Sequence, residues 1–266
     1  MPKFKPEDMI WSYSRANGWA NCPYGWWITY FQKNRGENNV FSDYGRLAHE
    51  IIQRQMILKL KDKPMMSNET MSNEFRNRYY DIPYKFPSRK MKENYLIKGM
   101  EYFESWDSFD GFTVKSVEVM GHFRFAGYDC RGAIDLILEK DGKIYVIDHK
   151  TAKEYKGMDL IKYIRQLYFY GPMTAQLLGR FPDYLAFNFV KDKVIRQFEW
   201  EDAVFKNTID WFKGQIDEIT ACKNFEPRPN PFFCNWLCNH REKCKYRPPY
   251  YKSDKYSGYK EFNGYG

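Results

Sequence analysis

The sequence predicts an α/β fold: a central mixed β-sheet flanked by helices, with a helical region before it and a cysteine cluster after it. Three observations point there. The first hundred residues read mostly as helices, residues 112–149 as successive strands rich in β-branched and aromatic side chains, and residues 159–220 as a helix, a strand pair and a second helix. Strands interleaved with helices in this way need a sheet covered on its faces.

Taken in order, residues 22–33 (CPYGWWITYFQK) predict a short helix, with Pro23 tolerated in its first turn. Ser42 is the expected N-cap of a longer helix running to 59. Residues 61–72 (KDKPMMSNETMS) are polar and irregular, and a loop is expected there. Met91, Tyr95, Ile97, Met100, Tyr102 and Phe103 recur at helical spacing and predict a helix over 89–106. Strands are expected over 112–120, 123–128, 132–138 and 143–149, then a helix over 159–178. Two more strands over 184–190 and 194–200 and a helix over 201–220 complete the core. From 248 the chain (PPYYKSDKYSGYKEFNGYG) is rich in Tyr, Lys and Gly, and disorder is expected. The expected division is a helical region over 1–110, a core over 111–221, a cysteine segment over 222–247 and a tail over 248–266.

A chain of 266 residues is long enough for one large domain with a helical annex. Its apolar runs are short and broken by charges, so no transmembrane helix is expected. The start, MPKFKPEDMIW, lacks the apolar centre of a secretory signal, which predicts a cytoplasmic protein. Six cysteines in a reducing compartment are not a disulfide framework. A net charge of +8 with 19% aromatic residues suits a polyanion whose bases stack, such as single-stranded nucleic acid. Basic proteins that bind no nucleic acid share that composition, so the motifs have to decide.

The most informative stretch is 132–150. Asp141-Gly142 between two β-rich runs is a two-residue hairpin signal. With those two residues as the loop, Lys140 pairs with Lys143 and Asp135 falls opposite Asp148. Lys150, two residues beyond Asp148, shares its face. Carboxylates on opposed residues, roughly 5 Å apart, repel by about 3 kcal/mol at an effective dielectric near 20. The neighbours Ile134, Leu136, Ile137, Val146 and Ile147 leave little water to relieve this. A divalent cation between the acids turns the conflict into a binding site.

Asp135 with Asp148-His149-Lys150 resembles the signature of the PD-(D/E)XK nuclease superfamily, an acid followed at a distance by (D/E)-x-K. Within it, the chain looks like RecB-type nucleases and the CRISPR-associated Fe–S exonucleases. Two further motifs carry that likeness: Gln166-Leu-Tyr-Phe-Tyr170, and Gly45-Arg-Leu-Ala-His49 on an early helix. The resemblance implies a restriction-endonuclease-like core and a metal-dependent DNA exonuclease acting on single-stranded ends. It implies that Asp135, Asp148 and the backbone carbonyl of His149 bind Mg²⁺ or Mn²⁺, with His49 assisting. Lys150 then orients the attacking water and stabilises developing charge. Gln166 and Tyr170, four apart and on one helix face, orient that lysine or the phosphate. Glu118, on an earlier strand, is a weaker acidic candidate and stays outside this set. DNA is the implied partner, with proteins of recombination, repair or spacer acquisition beside it.

Cys234, Cys238 and Cys244 form a tight C-x3-C-x5-C group, a spacing that binds metal in a reducing compartment. The resemblance supplies Cys22 as the fourth ligand, because the related nucleases hold a [4Fe–4S] cluster with one early and three late cysteines. Those relatives more often show C-x2-C, and His240 lies inside the triplet, so structural Zn²⁺ stays open. Cys130 and Cys222 are expected as buried thiols, with Cys222 a spare ligand. Lys243, Lys245, Tyr246 and Arg247 are expected to hold the strand by phosphate contact and stacking. The rival readings are an endonuclease with structural zinc and a non-cleaving nucleic-acid-binding subunit. The intact Asp135, Asp148 and Lys150 set argues against the second.

Overall fold

The computed structural model describes residues 5–107 and 109–249, so the tail beyond Pro249 lies outside the described residues. The helical region holds α1 (Tyr13–Asn21), α2 (Pro23–Trp26), α3 (Val40–Leu60), α4 (Asn68–Tyr79) and α5 (Arg89–Glu104). The short helix after Cys22 does form, as α2 running into a π-turn over Trp27–Phe31. Two expectations are corrected here. The N-cap of α3 is Asn39 rather than Ser42: Asn39 Oδ1 accepts from the Phe41 and Ser42 amides, while Ser42 Oγ accepts from the Asn39 amide. Ser42 is thus the third residue of a capping box. The polar stretch expected as a loop already begins α4, capped by Ser67. A single stripe, Met71, Phe75 and Tyr79, holds that helix down.

The sheet has five strands in sequential order: β1 (Thr113–Phe125), β2 (Tyr128–Lys140), β3 (Lys143–Lys150), β4 (Tyr184–Phe189) and β5 (Val194–Glu199). All neighbours are antiparallel except β3 and β4, which are parallel. That one crossover carries α6 (Gly157–Phe169) and α7 (Gly171–Leu178), and α8 (Asp202–Ala221) follows β5. The two strands expected over 112–128 form one strand up to Phe125. Gly121, in the expected gap between them, pairs with Gly132 inside the ladder, and a Cβ there would sit 2.9 Å from Met173. The single helix expected over 159–178 is split after Tyr170, where Gly171 lies against Trp200 and Pro172 supplies no amide hydrogen.

Two cores sandwich the sheet. One joins Ile137, Val146, Leu185 and Phe187 to α1, α6, α7 and α8; the other joins Leu136, Leu138, Ile147 and Ala186 to α3, α4 and α5. The alternation fails along β1 and β2 near Glu118. Val117 packs on the α3–α5 side but Val119 on the other, and Leu136 and Ile134 part in the same way. Glu118, between the two valines, has φ +48°, a left-handed backbone that reverses which face the next residues meet. The functional residues gather at this reversal.

Candidate active site

The turn acts as its sequence requires. Asp141 and Gly142 both take positive φ, Lys140 pairs with Lys143, and the ladder runs in that register to Leu136 and Ile147. Hydrogen-bonded pairing ends there, one step before the two acids. The freed His149 amide donates instead to Asp135 Oδ2 at 2.7 Å.

Asp148 and Lys150 face α6. Asp148 is 2% exposed, and its Oδ2 lies 2.6 Å from Lys150 Nζ at an angle that makes no hydrogen bond. Lys150 Nζ donates to Gln166 Oε1 at 2.7 Å, and Gln166 Nε2 donates to the Tyr170 hydroxyl at 2.8 Å. The helical spacing of Gln166 and Tyr170 thus becomes a relay that fixes the ammonium. Burial, reinforced by Asp148 and Asp135, holds the Tyr170 hydroxyl well above its ordinary pKa, so it stays protonated.

His49 approaches from the opposite layer. Gly45, one turn earlier on α3, lets the helix close on the end of β3: a Cβ there would meet Thr151 Oγ1 at 3.3 Å. His49 Nε2 donates to the His149 carbonyl at 2.9 Å, which fixes the tautomer and leaves the Nδ1 lone pair free to bind. Nδ1 lies 3.6 Å from Asp135 Oδ2 and 4.0 Å from Glu118 Oε1. His149 itself is buried, and its Nδ1 accepts from Asn188 Nδ2 at 2.9 Å. Burial lowers the pKa of both imidazoles, so both are neutral near pH 7.

His49, Glu118 and Asp135 bring one ligand atom each within 4.8 Å of one another, the one such metal-capable trio among the described residues. Burial and then the Asp148 charge raise the Asp135 carboxyl well above the usual range, and the same two causes raise Glu118. Crowded acids and a neutral imidazole with its lone pair turned inward fit a divalent ion. Beside the trio opens a cleft of about 470 Å³, lined among others by Phe41, Arg46, His49, Glu118 and Thr151.

Glu118 is the residue that sequence reasoning passed over. Its available signal was the broken alternation Val114, Val117, Val119, which marks an irregular strand. The structure has a register shift between Val114 and Ser116 and the left-handed residue at Glu118 itself.

A second constellation lies at the other end of α3. Cys22, Cys234, Cys238 and Cys244 line one pocket, closed by Tyr246 packing edge-on against Tyr24. Backbone amides of Gly25, Asn230 and His240 donate to the sulfurs of Cys22, Cys234 and Cys238. Burial raises the Cys234 thiol pKa and pushes Cys238 up to about 11. His240 uses Nε2 on Thr29 Oγ1 at 2.7 Å. Cys130 is fully buried, whereas Cys222 is only half-buried at the end of α8. Arg247, expected as a phosphate contact, ties its own segment together through Asn235 and the Arg241 carbonyl.

The sheet order, the acids at the β2–β3 parting and the lysine beside them define a nuclease of the PD-(D/E)XK type. The profile of the PD-(D/E)XK nuclease superfamily matches residues 10–247, and the chain belongs to that superfamily. Its members are metal-dependent nucleases, and so is this chain. No curated protein matches. Among solved structures, a protein of Eubacterium rectale named "Putative exonuclease" aligns over 94% of this chain and 93% of its own at 14% identity and a TM-score of 0.53. It shares the fold. The structure named SSO0001 aligns over 92% and 90% at 16% identity, with a TM-score of 0.38. No helix among the described residues is long and apolar enough to cross a membrane.

Proposed function

We propose that the chain is a DNA exonuclease acting on single-stranded ends, with a divalent ion at the trio and a [4Fe–4S] cluster at the four cysteines. The convergence of His49, Glu118 and Asp135 beside the Asp148–Lys150 pair carries this reading. His49 Nδ1, Glu118, Asp135 and Asp148 would hold Mg²⁺ or Mn²⁺, with the His149 carbonyl, which accepts from His49, positioning the imidazole or joining them. The ion supplies positive charge at the scissile phosphate and acidifies water there. Lys150, held by Gln166 and Tyr170, presents its ammonium to the oxygen that gains charge and orients the attacking water. The fixed relay means that little reorganisation accompanies the reaction.

The thiol pocket supports the cluster over zinc. His240, the zinc ligand the spacing left open, is engaged with Thr29 Oγ1. Amide hydrogens directed at three sulfurs suit thiolates that carry cluster charge. The exonuclease preference draws on the resemblance, on the name of the Eubacterium rectale protein and on the cleft beside the trio.

The test uses anaerobically purified full-length protein, end-labelled linear single-stranded DNA, a circular single strand and Mn²⁺, with Asp148→Ala as control. Release of short products from linear DNA alone, lost in Asp148→Ala, supports the reading. Cleavage of the circle makes it an endonuclease, and binding without cleavage makes it a non-cleaving subunit. A colourless, zinc-containing protein without visible absorption overturns the cluster assignment.

A further inference from the structure

The parallel strands β3 and β4 end side by side: Lys150 is in register with Phe189, and the Val190 amide donates to the Lys150 carbonyl at 2.8 Å. The segments leaving these two ends carry Lys153 and Lys191, immediately beyond the catalytic pair. Open crevices at the carboxyl ends of parallel strands are where ligands bind in α/β sheets. Lys191 Nζ lies over the Tyr95 ring, 4.3 Å from its centroid, and Tyr95 packs edge-on against Phe41 with centroids 5.5 Å apart. Phe41 and Thr151 line the same cleft as His49 and Glu118. An unbroken path of contacts therefore leads from the metal-capable trio, along the cleft wall, to a group of lysines.

These lysines crowd one another. Burial lowers the Lys191 pKa, and the charges of Lys153 and Lys98 lower it further against the opposing Asp192. Lys98 lies 2.8 Å from Glu101, and that carboxylate also serves Lys193 at 4.0 Å. Acidic compensation is thus shared while cations gather. Half-buried like charges are unfavourable in the free protein, and an anionic partner would relieve them. Rings interleaved with ammonium groups match a chain of alternating phosphates and bases.

We propose that Lys98, Lys153 and Lys191, grouped around Tyr95, bind the phosphates of a DNA strand whose end occupies the cleft. Phe41, on the cleft wall, supplies a stacking face, and the three lysines fix the path of the backbone beyond it. This rests on the proposed action at DNA ends, and its test is separable from that reading.

Binding of a fluorescent oligothymidylate to the full chain is measured by anisotropy against salt, with Ca²⁺ replacing the catalytic ion. Each phosphate contact removed lowers the slope of log K against log salt by about 0.7 for a single strand. Lys153→Gln/Lys191→Gln is expected to lower the slope by about 1.4 and weaken binding ~10-fold or more near 0.1 M salt. Lys206→Gln on α8 is the control and keeps the wild-type slope. Lys153→Gln alone, expected to lower the slope by about 0.7, carries the test should the double variant not fold. An unchanged slope in the lysine variants, beside a wild type that cleaves DNA, overturns this inference and leaves the nuclease reading standing. So does lysine-dependent capture of polyglutamate in place of the oligonucleotide. A wild type that binds DNA with the expected lysine dependence but cuts neither linear nor circular DNA sinks the nuclease reading alone.

Discussion

Asp135→Asn should stabilise the metal-free protein while destroying its response to metal. Asp135 and Glu118 bring their ligand atoms within 4.8 Å, so two ionised carboxylates there repel by about 3 kcal/mol at an effective dielectric near 20. The amide keeps an oxygen to accept from the His149 N–H, as Asp135 Oδ2 does, and removes the charge. At roughly 2–4 °C per kcal/mol for a domain of this size, the metal-free melting temperature should rise by about 6–12 °C near neutral pH. The pH dependence has a definite sign. Both carboxyls titrate above their unfolded values, so their contribution to stability is complete below the unfolded pKa and is lost as pH rises through the folded one. Metal-free wild type should therefore melt lower at about pH 8 than at about pH 5.5, the variant should show a flatter profile, and Mn²⁺ should recover the difference in wild type alone. Scanning calorimetry of chelated protein with and without Mn²⁺ decides it, sodium chloride serving as the ionic-strength control. A variant less stable than metal-free wild type, or one that keeps the Mn²⁺ shift, refutes the placement of Asp135 in an uncompensated acidic cluster.

Gln166→Leu removes the acceptor of Lys150 Nζ, a charge-assisted bond of about 1.5–3 kcal/mol. Single-turnover cleavage should slow by about 10–100-fold. Gly99→Ala drives a Cβ to 2.2 Å from the Phe75 ring between α4 and α5, and denaturant titration should show a loss of about 1–3 kcal/mol. Asn39→Ala removes the cap of α3 and its bond to the Leu237 carbonyl; stability should fall by about 1 kcal/mol, and calorimetric titration should show weaker Mn²⁺ binding with the visible absorption unchanged.

Where chain signals are local and strong, the site was legible. Asp141-Gly142 admits the left-handed turn that fixes the hairpin register, and that register alone carries Asp135 and Asp148 to the same end of β2 and β3. Gln166 and Tyr170 were legible because four residues on a helix make one face, although their partner, the Lys150 ammonium, is set by tertiary packing. Glu118 was legible only as a weaker acidic candidate, for a physical reason. A glutamate in an irregularly alternating strand reads as solvent-facing, and no glycine or asparagine announces the positive φ that turns the sheet around it. The start of α3 was misplaced by three residues because Asn39 and Ser42 are both good caps and only the hydrogen bonds distinguish the cap from its reciprocal partner. Sequence spacing also suggested one helix after β3, and the Gly171-Pro172 break against Trp200 ends it directly after the tyrosine of the relay.

The cysteine pocket and the trio lie apart, yet one helix joins them. The Glu37 amide donates to the Asn239 carbonyl at 2.8 Å, Arg241 reaches the Asn38 carbonyl at 2.7 Å, and Asn39 Nδ2 reaches the Leu237 carbonyl at 2.9 Å. Those three acceptors and donors flank Cys238, so the segment that carries the thiol is also the platform for the cap of α3. Gly36 makes the approach possible, with φ +67° and the Asn239 carbonyl 2.3 Å from where a Cβ would stand. From that cap, α3 runs roughly 15 Å, at 1.5 Å per residue, to His49. A helix conveys displacement of its end along its length far better than a loop does. Disturbing the cysteine segment should therefore act on the metal trio by moving His49, leaving in place Asp135, Asp148 and Lys150, which the hairpin and the α6 relay hold.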